Sequence, residues 1–276
     1  MSLDRPGSRL DPWIGAYAER AAGMTASEIR ALFSVASRPE VVSLAGGMPY
    51  VEALPLDDLA DTVARLIRER GATALQYGSG QGDVILREQI LDVMSDVGVI
   101  AHPDDVIVTT GSQMALDLVV RVFCNPGDVV LVEAPSYVGA LGIFRSYEVD
   151  VVHVPMDDQG LVPEALAEAI TAVRASGRTP KMIYTIPSFH NPAGITQPAQ
   201  RRKEVLDVAI RENLLVLEDD PYALLGFDGT VPRAMRADDS EQVVYLGSAF
   251  EDPRVRFAGR VGSRAPWGAR EAGAGR

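Results

Sequence analysis

The chain alternates short apolar runs with amphipathic segments from about residue 105 onward, and this alternation constrains the fold more than any other feature. The apolar runs predict strands at residues 105–110, 129–132, 149–154, 182–186, 214–217 and 243–246. The segments between them predict helices at 112–123, 136–147, 163–174 and 198–213. Strands that are apolar on both faces and separated by helices form a mostly parallel sheet. The sequence therefore predicts an α/β fold with a doubly wound parallel sheet and helices on both faces.

The first hundred residues show a weaker pattern of helices. Residues 12–38 have apolar positions near helical spacing, and residues 41–44 predict a short strand. Residues 56–70 predict an amphipathic helix, and Asp83 stands where an N-cap would begin another. We divide the chain into an N-terminal helix and arm (1–50), a large domain (51–248) and a tail (249–276). The tail is rich in Gly, Ala and Arg and is expected to be disordered on composition.

Charge and composition exclude several classes of function. The net charge of −12 argues against a nucleic-acid or anionic-membrane partner, because both need clustered basic residues. No apolar run approaches the roughly 20 residues that a membrane-spanning helix needs, and residues 1–20 do not resemble a signal peptide. Cys124 stands alone, which excludes an internal disulfide. A cytoplasmic location is expected.

Polar and aromatic residues follow several of the predicted strands. Gly111 lies between a strand and a helix, where a glycine permits a tight turn and helix amides can bind an anion. Tyr137, Asn191 and Asp219 each follow a later strand. Ligands of open α/β sheets bind at the carboxyl ends of the strands. Each of these segments taken alone could be an ordinary loop, since Asn, Asp, Pro and Gly are common in loops. Their arrival at one edge predicts a ligand site.

These motifs resemble the pyridoxal-phosphate (PLP)-dependent aminotransferases of fold type I, class I/II. The resemblance extends from about Ser27 through Ser248. It is strongest to the branch that contains the 2-aminoadipate and kynurenine aminotransferases and the catalytic halves of MocR regulators. The motifs that carry it are Ser43-Leu44-Ala45-Gly46-Gly47-Met48-Pro49, Leu75-Gln76-Tyr77-Gly78, Leu86-Arg87-Glu88, Thr110-Gly111-Ser112-Gln113 and His190-Asn191-Pro192-Ala193-Gly194.

The resemblance implies a set of cofactor contacts. Gly111, Ser112 and Gln113 would hold the PLP phosphate, with Ser248 adding a hydroxyl. Tyr137 would stack on the pyridine ring. In the intact family form, the reaction implied is transfer of an amino group between an amino acid and a 2-oxo acid.

The remaining roles concern the ring, the substrate and a second subunit. Asp219 would pair with the pyridinium nitrogen, which makes the ring an electron sink. Asn191 and Tyr222 would hydrogen-bond the phenolic oxygen, and Asn191 with Gly47 would lie near the substrate. Tyr77 would reach the phosphate of the neighbouring subunit, so the resemblance implies a homodimer.

The resemblance also implies a Schiff-base lysine that this sequence lacks. The third residue after Ser248, where the lysine is expected, is Glu251, and the chain's lysines are Lys181 and Lys203. A general base in that role is worth roughly 10²–10⁴ in rate. We therefore expect no catalytic residue at this position, an inactive or nearly inactive chain, and a C-terminal small domain that is missing.

A shifted reading frame would account for this departure. Residues 250–262 can be back-translated so that reading one base later yields Ser-Lys-Thr-Leu-Ala-Ser-Gly-Leu-Arg-Val-Gly-Trp. This string contains the lysine turn, arginine and strand that the resemblance implies. The sequence therefore suggests truncation or a frameshift after Ser248.

Other interpretations receive less support. Residues 78–82 superficially suggest a dinucleotide loop, but no apolar strand precedes them. The three histidines lack metal-ligand spacing. Asp219 and Asp220 could form a hydrolase carboxylate pair, although we expect one ligand and one solvated neighbour. A non-catalytic remnant or regulatory protein that binds PLP or another ligand is the second hypothesis. A MocR-type transcription factor is the least favoured, because no basic helix-turn-helix precedes the domain.

Overall fold

Residues 13–23, 38, 40–42 and 55–248 are described by a computed structural model of the chain. Their strands form one sheet: β1 Val129–Ala134, β2 Asp150–Asp157, β3 Gly160–Leu161, β4 Pro180–Thr185, β5 Leu215–Asp219 and β6 Val243–Leu246. The strand order is β3-β2-β1-β4-β5-β6. The short β3 pairs antiparallel with β2, and every other pairing is parallel. The predicted α/β fold with a mostly parallel sheet is confirmed.

Helices connect the strands and cover both faces of the sheet. The α-helices of the described residues are α1 Leu56–Ala74, α2 Val84–Met94, α3 Ser112–Phe123, α4 Val138–Ser146, α5 Pro163–Ala175 and α6 Ala199–Glu212. The Asp83 carboxylate caps α2 by accepting from the amides of Ile85 (2.9 Å) and Leu86 (3.3 Å), as predicted. These two hydrogen bonds satisfy two of the amides that a helix start leaves without partners.

The core lies in two layers, one on each face of the sheet. On one face, Leu131 and Ile183 pack against Ile170 of α5 and Val205 of α6. On the other face, residues such as Val132, Tyr184 and Leu217 pack against α3 and α4. Successive residues of a strand point to opposite faces, so each buried strand contributes to both layers. This alternation decides which polar residues at the strand ends share a face.

The strand expected at residues 105–110 is wrong. A 3-10 turn occupies Pro103–Asp105, and residues 106–109 belong to no strand of the sheet. The amide of Val108 donates to the carbonyl of Gln81 (2.9 Å) instead. Among the described residues β6 is the edge strand next to β5. An apolar segment becomes a strand only when it pairs with a neighbouring strand, and this segment pairs with none of the described strands.

The N-terminal predictions are tested only in part. Two 3-10 segments, Ile14–Ala16 and Glu19–Gly23, occupy part of the stretch expected to be helical. Val41 and Val42 are not in a strand, and the rest of that predicted strand lies outside the described residues. The helix predicted at 56–70 is α1. Its apolar stripe is half-exposed, at 48% for Val63 and 38% for Leu66.

No helix in the described part of the chain has the length and apolarity to cross a bilayer.

Candidate active site

The candidate site lies at the carboxyl ends of β1, β4 and β5, on the face covered by α3 and α4. The parallel register pairs Val132 with Tyr184 and Tyr184 with Leu217, so these three residues share a face. Asp219 follows Leu217 by two positions and therefore points to the same face. The start of α3 lies on this face as well, because α3 packs against the same core layer.

Gly111 begins α3 in a backbone conformation that suits glycine alone. Its φ is +91° and its ψ is 162°, a region that side chains other than hydrogen essentially exclude. The first amides bonded back within the helix are those of Met114 and Ala115, both to the carbonyl of Gly111. The amides of Ser112 and Gln113 precede them at the positive end of a 12-residue helix. A Cβ placed on Gly111 would meet no atom within 4 Å, so the space in front is open.

Tyr137 joins this helix start. The side-chain amide of Gln113 donates to the Tyr137 hydroxyl at 3.4 Å. The Tyr137 ring is half-buried and packs against the core layer that contains Tyr184. Beside it the buried Ser136 hydroxyl makes no hydrogen bond within the described residues. The structure thus brings together the start of α3, an aromatic ring and a buried hydroxyl.

Asp219 ends β5 as a buried carboxylate, with 6% of its surface exposed. The hydroxyl of Tyr184, on the adjacent strand β4, donates to its Oδ2 atom at 2.6 Å. Tyr184 is fully buried and meets Phe144 of α4 edge to face, with ring centroids 5.6 Å apart. Burial and the neighbouring Asp219 charge raise the pKa of Tyr184 well above its ordinary value. The phenol is therefore a permanent donor to this carboxylate.

A second polar network lies on the opposite face, beneath the turn that carries Asn191. The fully buried Glu133 of β1 accepts hydrogen bonds from the Thr185 hydroxyl (2.7 Å), the Ile186 amide (2.8 Å) and the Gln197 side chain (2.8 Å). Nε2 of His190 lies 3.1 Å from the same carboxylate. This network ties the end of β1 to the turn after β4.

The opposite face also holds a buried group of charges at the end of β5. Glu218 accepts from the amides of Met235 (2.8 Å) and Arg236 (2.9 Å). Burial, and then the charge of Asp220, raise the pKa of Glu218 to about 8. Arg202 donates to the carbonyl of Pro187 at 2.9 Å and lies 4.0 Å from Glu218.

The expectation that Asp220 is a solvated neighbour of Asp219 is wrong. Only 3% of Asp220 is exposed, and burial raises its pKa. Asp220 packs against β6: its amide donates to the carbonyl of Leu246 (2.9 Å), and the Tyr245 hydroxyl donates to its Oδ2 atom at 3.4 Å. Adjacent residues at a strand end point to opposite faces, but here neither carboxylate reaches solvent.

The other predicted site residues are placed as follows. Asn191 and Tyr222 are half-buried in the turns after β4 and β5, and Ser248 is half-buried two residues beyond β6. The Tyr77 side chain is fully exposed, at 100%. Gly47 and Glu251 lie outside the described residues.

Both lysines lie away from this edge. Lys181 is near the amino end of β4, with its ammonium 3.6 Å from Asp128. Lys203 is exposed on α6 and pairs with Asp207 at 2.7 Å. The expectation that both occupy solvated surfaces agrees with these positions, although Lys181 is only partly exposed.

Sequence reasoning missed Tyr184 and Glu133 as site-supporting residues. A signal was present, because each is a polar or charged side chain within a mostly buried strand. The described residues contain no group of three His, Cys, Asp or Glu side chains that could hold a metal ion.

The chain is similar to several known proteins of one family. Residues 39–249 match the family model for aminotransferase class I and II. The chain is 39% identical over 234 residues to an aromatic-amino-acid aminotransferase of Thermococcus litoralis, covering 84% of this chain and 56% of that protein. It is also 39% identical over 252 residues to a 2-aminoadipate transaminase of Thermus thermophilus, covering 89% and 61%.

Solved structures of aminotransferases are also similar to this chain. A Pyrococcus horikoshii kynurenine aminotransferase in complex with PMP matches with a TM-score of 0.78 and 38% identity, over 85% of this chain and 58% of that one. A Thermus thermophilus α-aminoadipate aminotransferase complexed with N-(5'-phosphopyridoxyl)-L-leucine matches at 0.76 and 36%, over 87% and 59%. The chain thus spans a little more than half the length of the relatives it matches.

Proposed function

Because this chain belongs to the class I and II aminotransferase family, we propose that it binds pyridoxal 5'-phosphate at the carboxyl edge of its sheet, on the face covered by α3 and α4. In the intact family form the reaction proposed is transfer of an amino group between an amino acid and a 2-oxo acid. When bound, PLP supplies an electron sink for the carbon that carries the amino group.

The observation that carries the proposal is the donor set of this edge. A helix start with two outward amides at Ser112 and Gln113 suits a phosphate, since the helix dipole favours an anion there. The buried Asp219 carboxylate suits a protonated ring nitrogen. Tyr137, joined to Gln113 at 3.4 Å, provides an aromatic face beside the phosphate position. The three groups match the three parts of PLP, so the residues present fit the cofactor.

Each residue then has a task that its chemistry allows. Ser112 and Gln113 hold the phosphate, and Ser248 adds a hydroxyl. Asp219 keeps a proton on the ring nitrogen. Asn191 and Tyr222 donate to the phenolic oxygen, and Gly47 with Asn191 borders the substrate.

We further propose that this chain attaches no cofactor through a lysine and turns over little or no substrate. Lys181 and Lys203 are engaged with Asp128 and Asp207, away from the carboxyl edge. Because neither lysine lies at the carboxyl edge, none of the residues proposed above accepts the proton of the substrate. Reversible cofactor binding without turnover, the behaviour of a non-catalytic remnant, is the second candidate function, and the same lysine positions favour it.

A homodimer is proposed on the family resemblance together with the fully exposed Tyr77, which is available to a partner subunit. Sedimentation velocity at micromolar concentration tests this proposal. A monomer at every concentration would contradict it.

The test of cofactor binding uses PLP itself. The chain is titrated with PLP, bound and free cofactor are separated by ultrafiltration, and a second sample is reduced with borohydride and examined by mass spectrometry. We expect saturable binding and no specific covalent adduct. Asp219→Asn is expected to weaken binding, whereas Asp150→Asn, an exposed carboxylate on β2, serves as the matched control. Failure to retain PLP would refute the cofactor proposal, and an adduct on one lysine would refute the non-covalent one.

A further inference from the structure

We propose that Tyr184 is a positioning residue for the cofactor site: it fixes the orientation and the charge of the Asp219 carboxylate that meets the ring nitrogen. This inference rests on the proposed function, which assigns PLP to this edge of the sheet. It concerns a residue of the sheet interior that would not itself touch the cofactor.

The geometry of the two strands places the pair. Tyr184 is aligned with Leu217 in the β4–β5 register, and Asp219 lies two residues further along β5 on the same face. Two residues of a strand span about 6.6 Å. A tyrosine side chain is long enough to lean across this distance, and its hydroxyl reaches Oδ2 of Asp219 at 2.6 Å. The distance is that of a strong hydrogen bond to a charged acceptor.

Because both side chains are buried, this hydrogen bond affects the charge of Asp219. Tyr184 has no exposed surface and Asp219 has 6%. A buried carboxylate favours its protonated form unless a donor stabilises the charge, and the phenol is such a donor. Because burial and the Asp219 charge raise the pKa of Tyr184 well above its ordinary value, the phenol keeps its proton throughout the working range of the protein.

The hydrogen bond from Tyr184 also fixes the orientation of the Asp219 carboxylate. The ring of Tyr184 is held by Phe144 of α4, with centroids 5.6 Å apart and an interplanar angle of 77°. A fixed phenol holds Oδ2 in one place, and this sets the direction in which Oδ1 points. A ring nitrogen that binds at Asp219 then meets a carboxylate that needs no reorganisation, which favours binding.

A purely structural role for Tyr184 is the alternative. Filling the core between β4 and α4 requires only the ring, and phenylalanine supplies it. Tyr184→Phe therefore separates the two roles, because it preserves the packing and removes the hydroxyl. The chain also offers a matched control in Tyr147, whose hydroxyl donates to Asp117 at 2.9 Å away from the proposed site. Tyr147→Phe removes an equivalent tyrosine–aspartate bond.

The experiment measures the affinity of two probes for the full chain and both variants. One probe is PLP, and the other is its carbocyclic analogue, in which the ring nitrogen is replaced by carbon. We expect Tyr184→Phe to weaken PLP binding about tenfold, the loss of one hydrogen bond to a charged group, and to change analogue binding less than about twofold. Tyr147→Phe is expected to leave both affinities unchanged. Circular dichroism establishes that each variant is folded.

The outcomes distinguish the two proposals. If the unaltered chain binds no PLP, the proposed function fails and this inference fails with it. If the unaltered chain binds PLP but Tyr184→Phe weakens both probes equally, or neither, the cofactor proposal stands and the positioning role is refuted. If Tyr184→Phe does not fold, Tyr184→His provides the second arm, because imidazole keeps a ring and an N–H donor at this position but changes the bond to Oδ2 of Asp219. A loss of PLP affinity larger than that of the analogue supports the inference, and an equal change for both probes, or none, overturns it.

Discussion

The stability of this chain is expected to fall as the pH rises from about 4.5 to about 8, because of Glu218. This carboxyl lies on β5 with no exposed surface. Burial and the charge of Asp220 raise its pKa to about 8, although two backbone amides and Arg202 favour its charged form. In the unfolded chain the same group titrates near its ordinary value of 4.5.

The size of the effect follows from proton linkage. Between pH 4.5 and 8 the folded chain holds a proton that the unfolded chain has released, so the free energy of unfolding decreases by about 1.4 kcal/mol per pH unit. Across the whole window the decrease is about 5 kcal/mol. The contribution is fully present below pH 4.5 and is lost above pH 8. Asp220 has the same sign, because burial raises its pKa as well.

Urea unfolding followed by circular dichroism at pH 5, 6, 7 and 8 measures this slope. Glu218→Gln removes the titrating group and is expected to flatten the slope, even if its amide nitrogen opposes one backbone donor and lowers the stability at every pH. Glu212→Gln is the control. Its contact with Arg174 lowers the pKa of Glu212, so its titration falls below this window. Equal slopes for the unaltered chain and Glu218→Gln would refute the reasoning.

Three further substitutions probe local structure, each by its free energy of unfolding in urea. Asp83→Ala removes the cap of α2 and should cost about 1 kcal/mol; no loss would mean that the cap bonds are not formed in solution. Gly111→Ala should cost about 1–3 kcal/mol through its positive φ alone, since no atom obstructs the new Cβ; a neutral result would contradict this backbone conformation. Glu133→Ala removes the buried acceptor shared by three donors, of which only the Gln197 amide keeps a second acceptor, and should cost about 3 kcal/mol or more; a loss below about 1 kcal/mol would show that the network is replaceable.

The class of fold was predictable from the sequence, and so was the sheet edge to which we assign the proposed site. Apolar β-rich runs separated by helical segments leave few alternatives to a parallel sheet covered on both faces. The strand 243–246 and the helix Ser112–Phe123 were predicted with the bounds that the structure has. Polar residues after successive strands must meet at one edge, because parallel strands share their direction. These inferences depend only on local periodicity and chain direction.

Other features were decided only by the neighbours that each segment meets. Residues 105–110 have the composition of a strand, yet they join no ladder, because pairing requires an adjacent strand and composition does not supply one. Asp220 was expected in solvent and is buried, because it packs against Tyr245 and Leu246 of β6. The periodicity of a single segment carries no information about either outcome.

The hydrogen bond between Tyr184 and Asp219 is the clearest example of a feature that only the tertiary structure decides. The sequence places one residue inside a strand and the other at the end of the next strand, 35 positions later. Only the strand order and register bring β4 beside β5 and turn both side chains to the same face. Periodicity within the strand segments predicted that their apolar residues are buried, whereas the contact between Tyr184 and Asp219 depends on long-range packing that no local pattern encodes.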